Sequence, residues 1–132
     1  MQEGGDARLI SHKRDVQGAS RLWSIDREID LEEVRSLLRW TKDVNWPVAN
    51  EVGVFVARMG GRAVDEIEAI LNGTDAGWKY ACIQLVVARM SAVDLEPLRS
   101  CLNRLATAPN DAERMEEVDV AARDVLRRLG GL

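Results

Sequence analysis

At 132 residues and 46% apolar content, the chain has the size of one domain with a packed core, which excludes a disordered polypeptide. Its net charge of −4, with acidic and basic residues interspersed, excludes the clustered Lys and Arg that neutralise phosphates, so no nucleic acid is expected as a partner. No apolar run reaches the roughly 20 residues of a spanning helix and the opening residues carry no signal-peptide pattern, so a cytoplasmic protein with no membrane partner is expected.

Residues 1–8 are polar, with Gly4 and Gly5 and little to bury, and are expected to form a disordered N-terminus. A single domain should fill 9–132. Leu9–Val16 is a short segment suited to dock on the first helix, and residues 17–29 form a short helix or turn carrying Leu22, Trp23, Ile25 and Ile29. The pattern becomes regular at Asp30, which caps a helix with Glu33 at the capping-box position and an apolar stripe of Val34, Leu37, Leu38 and Trp40. After the turn Lys42-Asp43-Val44-Asn45, Asn45 is the expected N-cap of a second helix, with Pro47 in its first turn. Val48, Val52, Phe55, Val56 and Met59 share one face of that helix. Ala49, Gly53 and Ala57 share a neighbouring face, where small residues allow close approach, and Gly60-Gly61 stops it.

Val64, Ile67, Ile70 and Leu71 mark the next helix. Thr74 or Asp75 then caps Trp78–Met90, in which only Lys79, Gln84 and Arg89 are strongly polar. A helix apolar nearly all round must be enclosed, so this one is expected at the centre. Ser91 or Asp94 opens a helix with Leu95, Leu98, Cys101, Leu102 and Leu105. A second capping box, Asn110 with Glu113, opens the last helix, which carries Met115, Val118, Ala121, Ala122, Val125, Leu126 and Leu129. Every segment is helical, so the expected class is all-α.

The helices repeat. A shift of 30–31 residues lays Val34, Leu37 and Trp40 on Val64, Ile67 and Ile70, and again on Leu95, Leu98 and Cys101. Trp46 falls on Trp78, and Ala57-Arg58-Met59 on Ala88-Arg89-Met90. A period in the low thirties with two helices per unit predicts a HEAT-like α-solenoid of about three helical hairpins with a short N-terminal extension.

Two turns place an acidic residue and a Trp at the start of a second helix, on one edge of that arrangement. Asp43, Asn45, Trp46, Asp75, Trp78 and Tyr80 are therefore the candidate binding residues, since Trp and Tyr supply rigid contact area. The competing reading is that Asp43 and Asp75 fix the turns while the indoles pack between repeats. His12, the one histidine, lies in a poorly patterned segment beside Lys13 and Arg14. Glu113, Glu116, Glu117 and Asp119 follow a helix start, where the dipole favours negative charge. Cys82 and Cys101 sit in apolar patterns without a ligand spacing and read as buried reduced thiols. No metal-binding, phosphate-loop or nucleophile motif is present, so neither cofactor nor catalysis is expected.

The strings Asp43-Val44-Asn45-Trp46-Pro47-Val48-Ala49, Trp78-Lys79-Tyr80 with Cys82-Ile83, Leu105-Ala106 with Pro109, and Glu116-Glu117-Val118-Asp119 resemble the bacterial family called domain of unknown function 5071. Leu9-Ile10 and His12-Lys13 are similar to its N-terminal segment, so the likeness spans 9–128. The resemblance implies a small helical-repeat protein and brings no activity. The leading expectation is a non-catalytic module of a bacterial cytoplasm that binds a protein partner, a homo-oligomer being compatible with it. One alternative is an immunity-type protein neutralising a toxin. Another is a small-molecule-binding protein or enzyme using the Asp43/Trp46/Trp78 edge.

Overall fold

The computed structural model describes residues 9–130, and every regular element among them is helical. The expected disordered N-terminus lies outside the described residues. Helix α1 is Val16–Arg21, α2 Leu31–Arg39, α3 Ala49–Met59, α4 Val64–Leu71 and α5 Ala76–Leu85. Helices α6 (Ala92–Leu95), α7 (Arg99–Thr107), α8 (Asp111–Met115) and α9 (Val118–Arg128) complete the order.

Local chemistry sets most starts. Asp30 Oδ1 accepts the Glu33 N–H at 2.8 Å while the Glu33 carboxylate accepts the Asp30 N–H at 3.1 Å, the reciprocal pair that a capping box requires. Asp75 Oδ1 accepts the Trp78 N–H and opens α5; Ser91 Oγ does the same for α6. Asn45 does not cap α3. Its N–H instead donates to Asp43 Oδ1 at 2.8 Å, which folds the turn back on itself, and the helix starts at Ala49 without a side-chain cap. The Val48 N–H donates to the Lys13 carbonyl at 3.1 Å, so the N-terminal segment supplies the acceptor.

The central stretch is enclosed, but it is shorter than its composition suggests. α5 ends at Leu85, with Val86 at φ −116° as its C-cap, and Val87–Arg89 form a 3₁₀ turn. The break has a partner: the Leu85 carbonyl accepts the Arg89 guanidinium, which also grips Asn50 of α3 through its carbonyl and amide oxygens. Gly53 of α3 meets this point closely; a Cβ there would stand 2.5 Å from the Leu85 carbonyl oxygen. α3 stops at Gly60, whose φ of +62° favours glycine.

The two later helices are also interrupted. A 3₁₀ turn holding Pro97 separates α6 from α7. The Asn110–Glu113 capping box forms, but it opens only the short α8; Glu117, in the left-handed region at φ +62°, ends it before α9. Met115 consequently faces solvent instead of joining the apolar stripe.

α2 packs on α3, α4 on α5, and α7 on α9, while α2 also meets α4, α3 meets α5, and α5 meets α9. α1 lies against α3. One apolar core runs through these contacts, from Ile10 and Leu22 through Val34, Ile67 and Ile83 to Leu126. No described helix is long and apolar enough to cross a membrane.

Candidate functional site

The C-terminal end of α2 and the N-terminal end of α5 meet around Trp78. The indole Nε1–H donates to the Leu38 carbonyl and to Thr41 Oγ1, each at 3.2 Å, and Thr41 Oγ1 in turn donates to the same carbonyl at 2.6 Å. Thr41 is buried and Trp78 half-buried, so the ring is fixed by its polar edge while part of it stays in view of solvent. Lys42 Nζ sits 4.8 Å from the centroid of that ring, a cation–π distance. On the other side of the α2 terminus, Trp46 packs edge-on against Trp40 with centroids 5.9 Å apart.

Two open clefts flank this terminus. The first, of about 420 Å³, lies between α2 and α4–α5 and is lined by Arg35, Arg39, Lys42, Glu66, Asp75 and Trp78 over a floor including Leu38 and Ile70. The second, of about 410 Å³, is lined by Ile10, Ser11, Ser36, Arg39, Trp40, Lys42 and Trp46. Arg39 and Lys42 belong to both and form the wall between them.

The carboxylates of the first cleft are engaged. Glu66 takes Arg35 through both oxygens, at 3.0 and 3.2 Å, and this pair raises the Arg35 pKa. Asp75 holds the α5 start. Among the described residues, neither Arg39 nor Lys42 has a carboxylate within salt-bridge distance. Among the described residues, the second cleft has no acidic side chain in its lining.

Of the sequence candidates, Trp78 and Asp75 line the first cleft and Trp46 the second. Asp43, Asn45 and Tyr80 line neither; Asp43 is occupied by its turn, and the Tyr80 hydroxyl accepts from Gln84 Nε2 at 3.2 Å. Arg39 and Lys42 escaped the sequence reading. Their signal was available, since they flank Trp40-Thr41 directly before the Asp43 turn, but isolated basic residues at a helix end read as solvated.

Behind the edge lies a second feature that sequence reasoning missed. Lys79, one residue after Trp78, is buried, and its Nζ lies 2.5 Å from Glu113 Oε2. Arg104 clasps both Glu113 oxygens at 2.8 and 2.9 Å, and the Asn110 N–H donates to Oε1. Arg104, Lys79 and the Asn110 N–H together hold the Glu113 carboxyl down at about 2, against the opposing effect of burial. Glu33 repeats the device more openly: Arg27 clasps its two oxygens at 2.9 and 2.7 Å and lowers its pKa.

The remaining reactive groups are quiet. Burial pushes the Cys82 thiol up to about 12 and raises that of Cys101, both free cysteines. His12 is exposed and accepts the Arg14 N–H at Nδ1. Among the described residues no group of His, Cys, Asp and Glu is gathered to hold a metal ion.

The sequence matches the model of the family described as Domain of unknown function (DUF5071) over residues 9–126, from the segment ahead of α1 to near the end of α9. It matches no curated protein.

Proposed function

Since the chain belongs to the DUF5071 family, whose description assigns no activity, we propose from its own side chains that it is a non-catalytic protein-interaction module holding a partner segment along the α2–α5 edge. The observation that carries this reading is the pair of adjoining open clefts, with fixed indoles on the outer walls and two cations on the shared one. A rigid Trp edge offers contact area at little ordering cost. The packing of α2 with α3, α4 with α5 and α7 with α9, each pair resting on the next, supports a HEAT-like solenoid of three hairpins with an N-terminal extension. A location in a bacterial cytoplasm accompanies this reading.

An enzyme or small-molecule site at Asp43, Trp46 and Trp78 needs one pocket joining them. Trp46 and Trp78 line separate clefts and Asp43 lines neither, which favours an elongated ligand over a compact one.

The test is photocrosslinking in the native host, with a photoreactive amino acid placed at Ser36 or Thr74 on the clefts, or at Val93 or Met115 as exposed controls away from them. A discrete adduct of the same partner from Ser36 and Thr74, with none from the controls, is the expected result. Equal labelling from all four positions, or none from the edge, overturns the reading.

A further inference from the structure

We infer that the partner segment taken up by this edge is acidic, its carboxylates seated between Arg39 and Lys42 and its apolar side chains on the Trp46 and Trp78 rings. This deepens the reading above and rests on it. The chain as a whole is acidic, at −4, so a surface carrying two basic side chains without a described carboxylate partner runs against the average field. The neighbouring Arg35 adds no net charge, because it and Glu66 neutralise one another. What remains on the shared wall is the charge of Arg39 and Lys42, set beside aromatic faces and opposed in the first cleft only by Asp75, whose carboxylate is turned to the Trp78 N–H.

The arrangement suits an extended peptide. Alternate residues of an extended chain point the same way, so a carboxylate can meet the shared wall while the residues two positions to either side of it reach into the flanking clefts. Lys42 is held over the Trp78 ring and Trp78 is held by Leu38 and Thr41, so the charge and the ring are positioned before any ligand arrives. Preorganisation of this kind lowers the ordering cost of binding. Two cations are too few for tight sequence-independent phosphate binding, which rests on several neutralised phosphates.

The four tryptophans provide the readout. Trp40, Trp46 and Trp78 line the clefts, whereas Trp23 lines neither and packs on Phe55. The experiment follows the indole N–H resonances of ¹⁵N-labelled protein during titration with a short capped peptide in which Leu, Asp, Leu and Glu occupy successive alternate positions with Ala between them, so that acidic and apolar side chains share one face. Parallel arms use the same peptide with Asn and Gln, the same with Lys, and a single-stranded oligothymidylate. The expected result is that the acidic peptide shifts Trp46 and Trp78 but leaves Trp23 in place. Binding should weaken as salt rises, and by about tenfold or more in the Arg39→Glu, Lys42→Glu variant, which reverses both charges. Both residues are exposed, and the variant's own spectrum reports whether it stays folded.

If the Asn/Gln or Lys peptide shifts Trp46 and Trp78 as strongly, the edge docks a segment without reading its charge, and the inference falls while the docking reading stands. If the oligonucleotide binds there equally well, phosphate replaces the acidic segment. Absence of any shift at these indoles, or a shift confined to Trp23, overturns both.

Discussion

Glu113 is the side chain whose loss should cost most for the fewest atoms changed. Its carboxylate is 1% exposed and accepts from Lys79, from Arg104 twice and from the Asn110 N–H. Glu113→Gln keeps the volume but removes the charge. Arg104, 43% exposed, can turn toward water, whereas Lys79, 3% exposed, is left as a buried cation facing an amide. Stranding one member of a buried pair costs about 3–5 kcal/mol, a large part of the ~5–15 kcal/mol of a typical domain, and should lower Tm by about 10–20 °C. Lys79→Met should cost less, about 1–2 kcal/mol, because Glu113 retains Arg104 and Asn110. The double variant removes the stranded charge and should be more stable than Glu113→Gln alone. Urea unfolding at neutral pH, read as midpoints at constant m-value, measures all three. A Glu113→Gln variant within about 1 kcal/mol of the parent, or a double variant no better than the two singles combined, refutes the reasoning. The acid limb supplies an independent check. The folded pKa of about 2 lies below the ordinary 4.5, so the unfolded chain takes up the proton first as pH falls. The stabilisation is complete above about 4.5 and is lost on descent to about 2; at about 1.4 kcal/mol per pH unit this interval is worth about 3 kcal/mol. Glu113→Gln should lack that part of the acid decline.

Three further outcomes are expected. Gly53→Ala should destabilise by about 1–3 kcal/mol, because its Cβ would press on the Leu85 carbonyl and Cβ, which are a backbone group and the root of a side chain with little room to yield; a thermal melt unchanged from the parent would contradict the close approach of α3 and α5. Glu117→Gly should raise stability by up to about 1 kcal/mol and Glu117→Val lower it, since the left-handed φ is unfavourable for a branched side chain and open to glycine; urea midpoints give the order directly. Trp78→Phe should cost about 1 kcal/mol for the lost N–H donor, and Trp78→Ala distinctly more for the lost ring as well; equal melting temperatures for the two variants would show that the ring contributes nothing to packing.

What was legible in the sequence followed from short-range rules. The capping pairs Asp30–Glu33 and Asn110–Glu113 and the Asp75 cap each lie within a four-residue window, and each forms. The apolar stripes of α2, α4 and α7 repeat at helical spacing and are buried as that spacing requires. Two of the departures have a different cause. Asn45 yields its capping role because Lys13, far back in the chain, meets the Val48 N–H. The stretch 78–90 breaks because Arg89 competes for the Leu85 carbonyl while gripping Asn50. In the first case a partner brought by the tertiary fold displaces the local choice; in the second the competitor is local, but the Asn50 that anchors it lies 39 positions away.

The same distinction governs the charged residues. Glu113 looked like an acid placed to suit a helix dipole, and its capping-box role is local; its ion pair with Lys79 spans 34 positions. Trp46 and Trp78 stood out because large aromatics at helix starts are conspicuous, whereas Arg39 and Lys42 gain meaning only once two clefts meet at them. Successive residues of a helix point about 100° apart, and α5 uses this at Trp78-Lys79. Trp78 fastens it to the end of α2 in the preceding pair, and Lys79 fastens it to Glu113 in α8, the short helix that links α7 to α9. One dipeptide thus secures α5 from both sides through polar bonds whose geometry is directional, where apolar contact alone would permit sliding. The indole is held rigid at the edge for that reason, and the edge inherits a fixed shape from the way the layers are joined.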